Sequence, residues 1–322
     1  MTGEGRVPDF FVVGHQKSGT TALHQMLSLH PQIFLPSVKE PKYFATDLRS
    51  RLEARSPAAL RLHTLEGYLS LYAAAGPEQR TGDASPQYLR SRVAAGAIAE
   101  ARPDARIIAI FREPASFVRS FHLQMVSANV ESERDLGKAI ALEGARRAGK
   151  HIPRRCHHPD RLQYAEHVHY VEQLRRFHDA FPKENVLVLI YDDYRRDNEA
   201  TVRTVLRFLE VDDAVPVQTI DTKPVKAIRS MPLHRLANAA RLARTSPEAA
   251  SRLGRTVNAI TPAPLRNDSF RASWRKLAYG APAPPDERLM LELRRRFKPE
   301  VVALSEYLGR DLVGEWGYDE IA

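Results

Sequence analysis

One ammonium and three hydroxyls stand together near the N-terminus: Lys17, Ser18, Thr20 and Thr21, within Phe10-Phe-Val-Val-Gly-His-Gln-Lys-Ser-Gly-Thr-Thr-Ala-Leu-His-Gln-Met-Leu27. At the start of a helix such a group suits a multiply charged oxyanion, because the helix adds unpaired N–H groups and the positive end of its dipole. The elements that must position it are readable. Phe10–Val13 is apolar throughout, as a strand buried on both faces is. Gly14 and Gly19 let backbone approach a ligand, and Leu23, Met26 and Leu27 follow at helical spacing towards a stop near Pro31. The arrangement binds phosphate or sulfate. It differs from the triphosphate loop that ends Gly-Lys-Ser/Thr, because Lys17 precedes Gly19.

A second pair lies about ninety residues on. Arg112 ends the apolar run Arg106-Ile-Ile-Ala-Ile-Phe111, and Ser120 follows eight positions later on a helix opened by Pro114, with Phe117 and Phe121 on its buried side. Ligands of an open parallel sheet lie outside the carboxyl ends of its strands, so Arg112 and Ser120 can share a crevice with Lys17. Asn185–Tyr191 is a third buried strand, followed by a helix through Val202, Val205, Leu206 and Leu209. Strands alternating with helices predict an α/β fold, a central parallel sheet with helices on both faces.

Between these elements, Ser37–Phe44 reads as a rigid loop, because Pro36 and Pro41 forbid continuous helix around Glu40. Leu65, Tyr68, Leu69 and Tyr72 mark a helix, in a segment expected to pack outside the sheet. Thr81–Leu89 reads as a turn-rich stretch, Glu131–Ala148 as a polar helix, His151–Asp160 as a basic loop, and Tyr164–Leu174 as the start of a long helix. One domain is expected over residues 1–322: a core at about 8–211, an irregular basic segment at about 212–285, and a closing helix at about 286–309.

With 322 residues, 43% of them hydrophobic, the chain can bury a large core. Its net charge of +9 suits an anionic ligand but equally nucleic acid or an acidic membrane. No apolar run reaches the length of a transmembrane span, no leader-like run follows the start, and Cys156 is the single cysteine, so a cytoplasmic protein without disulfides is expected. His151, Cys156, His157 and His158 lack a closed zinc spacing, and no metal is expected.

Lys17-Ser-Gly-Thr-Thr21 after an apolar strand resembles the 5′-phosphosulfate loop of sulfotransferases that use 3′-phosphoadenosine 5′-phosphosulfate (PAPS), and Arg112-x-Pro-x5-Ser120 resembles their 3′-phosphate site. The resemblance implies the P-loop-NTPase-like sulfotransferase fold, with Lys17, Ser18, Gly19, Thr20, Thr21, Arg112 and Ser120 on the donor. Leu189-Ile-Tyr-Asp-Asp193 is similar to a family segment whose tyrosine lies near adenine, which assigns Tyr191 there. Lys39-Glu-Pro-Lys-Tyr-Phe44 resembles the segment carrying the catalytic glutamate of heparan-type enzymes, so Glu40 is the implied base. Gly82-Asp-Ala-Ser-Pro86 takes the place of the turn that carries lysine and histidine in phenol enzymes; it has neither, and leaves Asp83 and Ser85 as substrate contacts. His122, near Ser120, is kept as an alternative base or substrate contact. Leu293–Trp316 resembles the closing helix and tail of heparan-type and bacterial carbohydrate enzymes, and Arg275 or Lys276 is expected to reach the 3′-phosphate.

The resulting expectation is sulfuryl transfer to a hydroxyl of a carbohydrate, a glycosylated or lipid metabolite, or a natural product, with no nucleic acid and no metal. Two other readings stay open at this level. A kinase-like enzyme on the same fold needs a Gly-Lys-Ser/Thr order and an acidic magnesium ligand, and a non-catalytic polyanion or nucleic-acid binder would use the net charge alone.

Overall fold

The computed structural model describes residues 5–49, 57–220, 227–228, 279–280 and 282–321. The chain divides into two compact units, residues 1–222 with 286–322, and residues 223–285. In the second, Ala227–Ile228 pairs antiparallel with Tyr279–Gly280. Arg275, Lys276 and the arginines of 235–255 lie outside the described residues.

The first unit is built on strands β1 (Phe10–Gly14), β2 (Ile33–Phe34), β3 (Arg80–Asp83), β4 (Arg106–Phe111) and β5 (Val186–Ile190). They form one sheet in the order β2-β3-β1-β4-β5, with every pairing parallel. Alternate residues of β1 and β4 point to opposite faces. Phe11, Val13, Ile107 and Ala109 join a core with the helices Ala94–Ala101, Pro114–Ser127, Tyr170–Ala180 and Glu287–Leu308. Phe10, Val12, Ile108 and Ile110 pack instead against α1 (Thr20–Leu27) and the helix Asn198–Phe208. Both faces are therefore covered, as the apolar runs require. Among the described residues no helix is long and apolar enough to cross a membrane.

Three elements differ from the sequence reading. Arg80–Asp83 is a strand inside the sheet, between β1 and β2. Its polar composition conceals it, and Gly82 is there because the Phe10 ring lies 2.2 Å from where a Cβ would stand. The long helix starts at Tyr170, with Tyr164 and Val168 in or beside short 3-10 turns. Residues 131–148 are two short helices, Leu136–Ala141 and Glu143–Arg147, led by an irregular stretch from Glu131. Tyr68 and Tyr72, on the segment expected to pack outside the sheet, lie on helical turns and are buried in the core with Phe44.

Glu131 is buried rather than solvated: Arg146 Nη1 and Nη2 donate to its two oxygens at 2.7 and 2.8 Å, and Tyr164 Oη donates at 2.9 Å. These bonds tie both ends of the 131–164 excursion together. Removing one partner of a buried pair leaves an uncompensated charge, so Arg146→Met should lower the unfolding free energy by about 3–5 kcal/mol, read from urea denaturation.

Candidate active site

The loop after β1 turns by means of two left-handed residues, Lys17 (φ 71°) and Gly19 (φ 85°), the latter being the N-cap of α1. Gly19 is obligatory on two grounds: its φ, and the Tyr194 ring, which lies 2.7 Å from where a Cβ would stand. Ser18 is fully buried and its Oγ has no hydrogen-bond partner. Thr20 is buried at the start of α1 and Thr21 is exposed. Burial, and then the charge of Arg112, pull the Lys17 ammonium below the ordinary lysine range.

Parallel pairing sets Gly14 opposite Ile110, so the end of β4 opens beside this loop. Arg112 Nη1 donates to the Lys17 carbonyl at 2.8 Å, and the guanidinium lies 4.7 Å over the Tyr191 ring, covering one face of it. Arg112 Nε is buried without a partner. Tyr170 Oη donates to the Arg112 carbonyl at 2.9 Å. Glu113 caps the next helix by accepting from Ala115 N and Ser116 N, and Ser120, 7% exposed, lies on its second turn near the face of Phe117. Two cations held together beside orphaned donors make an anion site, and the buried Ser18 Oγ and Arg112 Nε fit a doubly phosphorylated ligand.

Glu40 reaches the same region. Its backbone is left-handed (φ 58°) although Pro41 follows, a costly conformation of the kind that gathers at functional sites. Lys39 Nζ donates to Oε1 at 3.0 Å, and Gln16 Nε2 of the Lys17 loop lies 3.5 Å from Oε2. The side chain is 26% exposed.

Asp83 and Ser85 are not exposed to an acceptor; both are fully buried. Tyr68 Oη and Tyr88 Oη donate to Asp83 Oδ2 at 2.9 and 2.8 Å, and Ser85 Oγ donates to Oδ1 at 2.7 Å. Ser85 Oγ in turn accepts from Lys42 N at 3.1 Å, and Tyr88 Oη from Phe44 N at 3.5 Å. The pair thus supports the Glu40 loop from behind. His122 is also set apart: it is buried and donates from Nε2 to the Glu133 carbonyl at 2.9 Å, and burial pulls its pKa down. Its Nε2 is thus engaged by the backbone of Glu133.

Other residues of the region escape a motif reading. His15, beside the loop, is buried against Phe117 and Tyr170, donates from Nε2 to Gln173 Oε1 at 3.0 Å, and is pulled by burial to a pKa of about 4, so it stays neutral. Arg161 donates to Gln16 Oε1 at 3.2 Å. Tyr194 carries a buried Oη without a partner. The C-terminal tail adds a clasp: Trp316 Nε1 donates to Asp192 Oδ2 at 3.0 Å, Arg310 Nη1 to Asp193 Oδ2 at 2.6 Å, and Tyr318 Oη to Glu113. The Lys17 loop, Arg112 with Ser120, and the segments of Glu40 and Tyr191 were visible without the fold.

Comparison with known proteins agrees with this geometry. Residues 8–214 match the family model described as Sulfotransferase family. Carbohydrate sulfotransferase 15 of Homo sapiens is 24% identical over 260 residues, covering 64% of this chain and 44% of that protein; the Mus musculus protein is 24% identical over 257 residues with the same coverage. The chain thus spans less than half the length of these relatives. The crystal structure of a sulfotransferase from Alicyclobacillus acidocaldarius superposes with a TM-score of 0.59 at 25% identity, covering 84% of this chain and 99% of that one.

The Asp83 cage has a pH signature. Burial pushes its pKa up to about 6 against the pull of the Ser85, Tyr88 and Tyr68 hydroxyls. The unfolded value is about 3.9, so between the two the native state holds the extra proton, and this group's contribution to stability falls as pH rises. The stability of wild type relative to Asp83→Asn should therefore decrease from about pH 4 to about pH 6 and then level off, as denaturant titrations across that range will show.

Proposed function

Because the chain belongs to the sulfotransferase family, we propose that it transfers the sulfuryl group of PAPS to a hydroxyl of a carbohydrate, a glycosylated or lipid metabolite, or a natural product. The observation that carries this reading is the bond from Arg112 to the Lys17 carbonyl at adjoining strand ends, which brings two cations together near unpartnered donors. The carbohydrate lean comes from the two curated relatives and from the Glu40 segment.

Charge sets the roles. Ser18, Gly19, Thr20 and Thr21 hold the 5′-phosphosulfate by hydroxyls and the N–H groups that open α1. Arg112 and Ser120 take the 3′-phosphate, and Tyr191 lies beside the adenine. PAPS supplies an electrophilic sulfur bonded through oxygen to a phosphate leaving group. Glu40 accepts the hydroxyl proton as the acceptor oxygen bonds to sulfur and the bond from sulfur to the bridging oxygen breaks. Lys17 stabilises the negative charge left on that oxygen, an interaction that strengthens as the charge develops. The long contact from Gln16 Nε2 orients the Glu40 carboxylate toward the loop that binds the donor.

The direct test is incubation with labelled PAPS and acceptor pools, read as the mass gain of one sulfuryl group; stronger stabilisation by ATP with magnesium than by the 3′,5′-bisphosphate product (PAP) would contradict the assignment. Lys17→Ala should raise the barrier by about 2–4 kcal/mol in single-turnover assays with the fold intact. Glu40→Gln should keep PAP affinity in calorimetry yet lose about 10² to 10⁴ in rate, and a fully active variant would remove Glu40 as the base.

A further inference from the structure

We infer that the acceptor carries a carboxylate a few bonds from the hydroxyl that is sulfated, and that Arg161 binds it; this rests on the sulfotransferase reading above. The observation is a guanidinium short of partners. Beside the Lys17 loop, Gln16, Gln87, Arg90 and Arg161 border a small cleft that is partly open to solvent. Asp160, the carboxylate next to Arg161 in sequence, turns to Arg90 and pairs with it. Arg161 keeps one side-chain hydrogen bond among the described residues, to Gln16 Oε1 at 3.2 Å, with its guanidinium 6.0 Å over the Phe121 ring. A guanidinium has five N–H donors, and none of the Arg161 nitrogens is buried without a partner, so the donors that Gln16 leaves free are open to solvent and to a ligand. Burial and then the Arg90 charge disfavour its charged form, and the Asp160 and Glu40 carboxylates oppose them.

Gln16 fixes the spacing. Its Oε1 takes Arg161 while its Nε2 faces Glu40, so one amide separates the cation from the base. An anion on Arg161 therefore belongs to the same small part of the acceptor as the reacting hydroxyl. The planar fork of arginine matches a carboxylate through two parallel hydrogen bonds. A sulfonate or phosphate could use the same donors, and the test separates them.

Wild type and Arg161→Gln, each saturated with PAP, are titrated by calorimetry with 4-hydroxybenzoate and methyl β-glucopyranosiduronate, with the primary amide of each, and with 4-hydroxybenzenesulfonate; transfer from PAPS is measured with the same compounds. Wild type should prefer each acid over its amide by about tenfold or more in Kd and kcat/KM, as expected for a charge-assisted hydrogen bond, and Arg161→Gln should erase the preference with PAP affinity unchanged. Arg161→Lys, which keeps the charge, should retain part of it. Equal handling of acid and amide by wild type overturns the inference, and so does tighter binding of the sulfonate than of the acids. A tenfold loss of PAP affinity in Arg161→Gln would place the arginine in the donor site and overturn it too. If wild type fails to bind PAP, the donor reading falls and this inference with it.

Discussion

The 2.8 Å hydrogen bond from Arg112 to the Lys17 carbonyl is the constraint on which the site depends. Two like charges near each other repel, and burial adds the cost of removing both from water. They stay together because their backbones are fixed independently, one at the end of β1 and the other at the end of β4, by the parallel pairing of Gly14 with Ile110. The fold therefore holds two like charges close together, and the sheet pairing is what imposes their neighbourhood.

A polar strand gives the acceptor side the same rigidity. The sheet needs β3 between β1 and β2, yet that strand ends in a carboxylate instead of an apolar residue. Three hydroxyls satisfy Asp83, and two of them, on Ser85 and Tyr88, also receive N–H bonds from Lys42 and Phe44. The loop bearing Glu40 in a left-handed conformation is thus anchored through side chains to the sheet. A strained residue persists only where its surroundings over-determine it, and this network does so.

The legible parts of the chain were those where one physical signal dominates. β1, β4 and β5 are apolar on both faces, and the helix after β4 begins with a proline, so their limits could be read within a residue or two. β3 was concealed because Thr81, Gly82 and Asp83 owe their burial to the Phe10 ring and to distant tyrosines, neither of which is a local property. Residues 131–148 read as one polar helix for the same reason: a buried ion pair such as Glu131 with Arg146 has the composition of an exposed one. Lys17, Arg112 and Glu40 stood out by motif, whereas Arg161 gains its meaning from Gln16, 145 positions earlier.

The C-terminal clasp has a consequence for synthesis. By the time β5 has left the ribosome, the Lys17 loop, Arg112 and Tyr191 have all been made, but Glu113 and Asp192, their immediate neighbours, still lack Tyr318 and Trp316. The nascent chain can thus pair its strands while the surroundings of Glu113 and Asp192 are unfinished. A chain ended by premature termination before residue 287 would lack this clasp and also the helix that covers one face of the sheet.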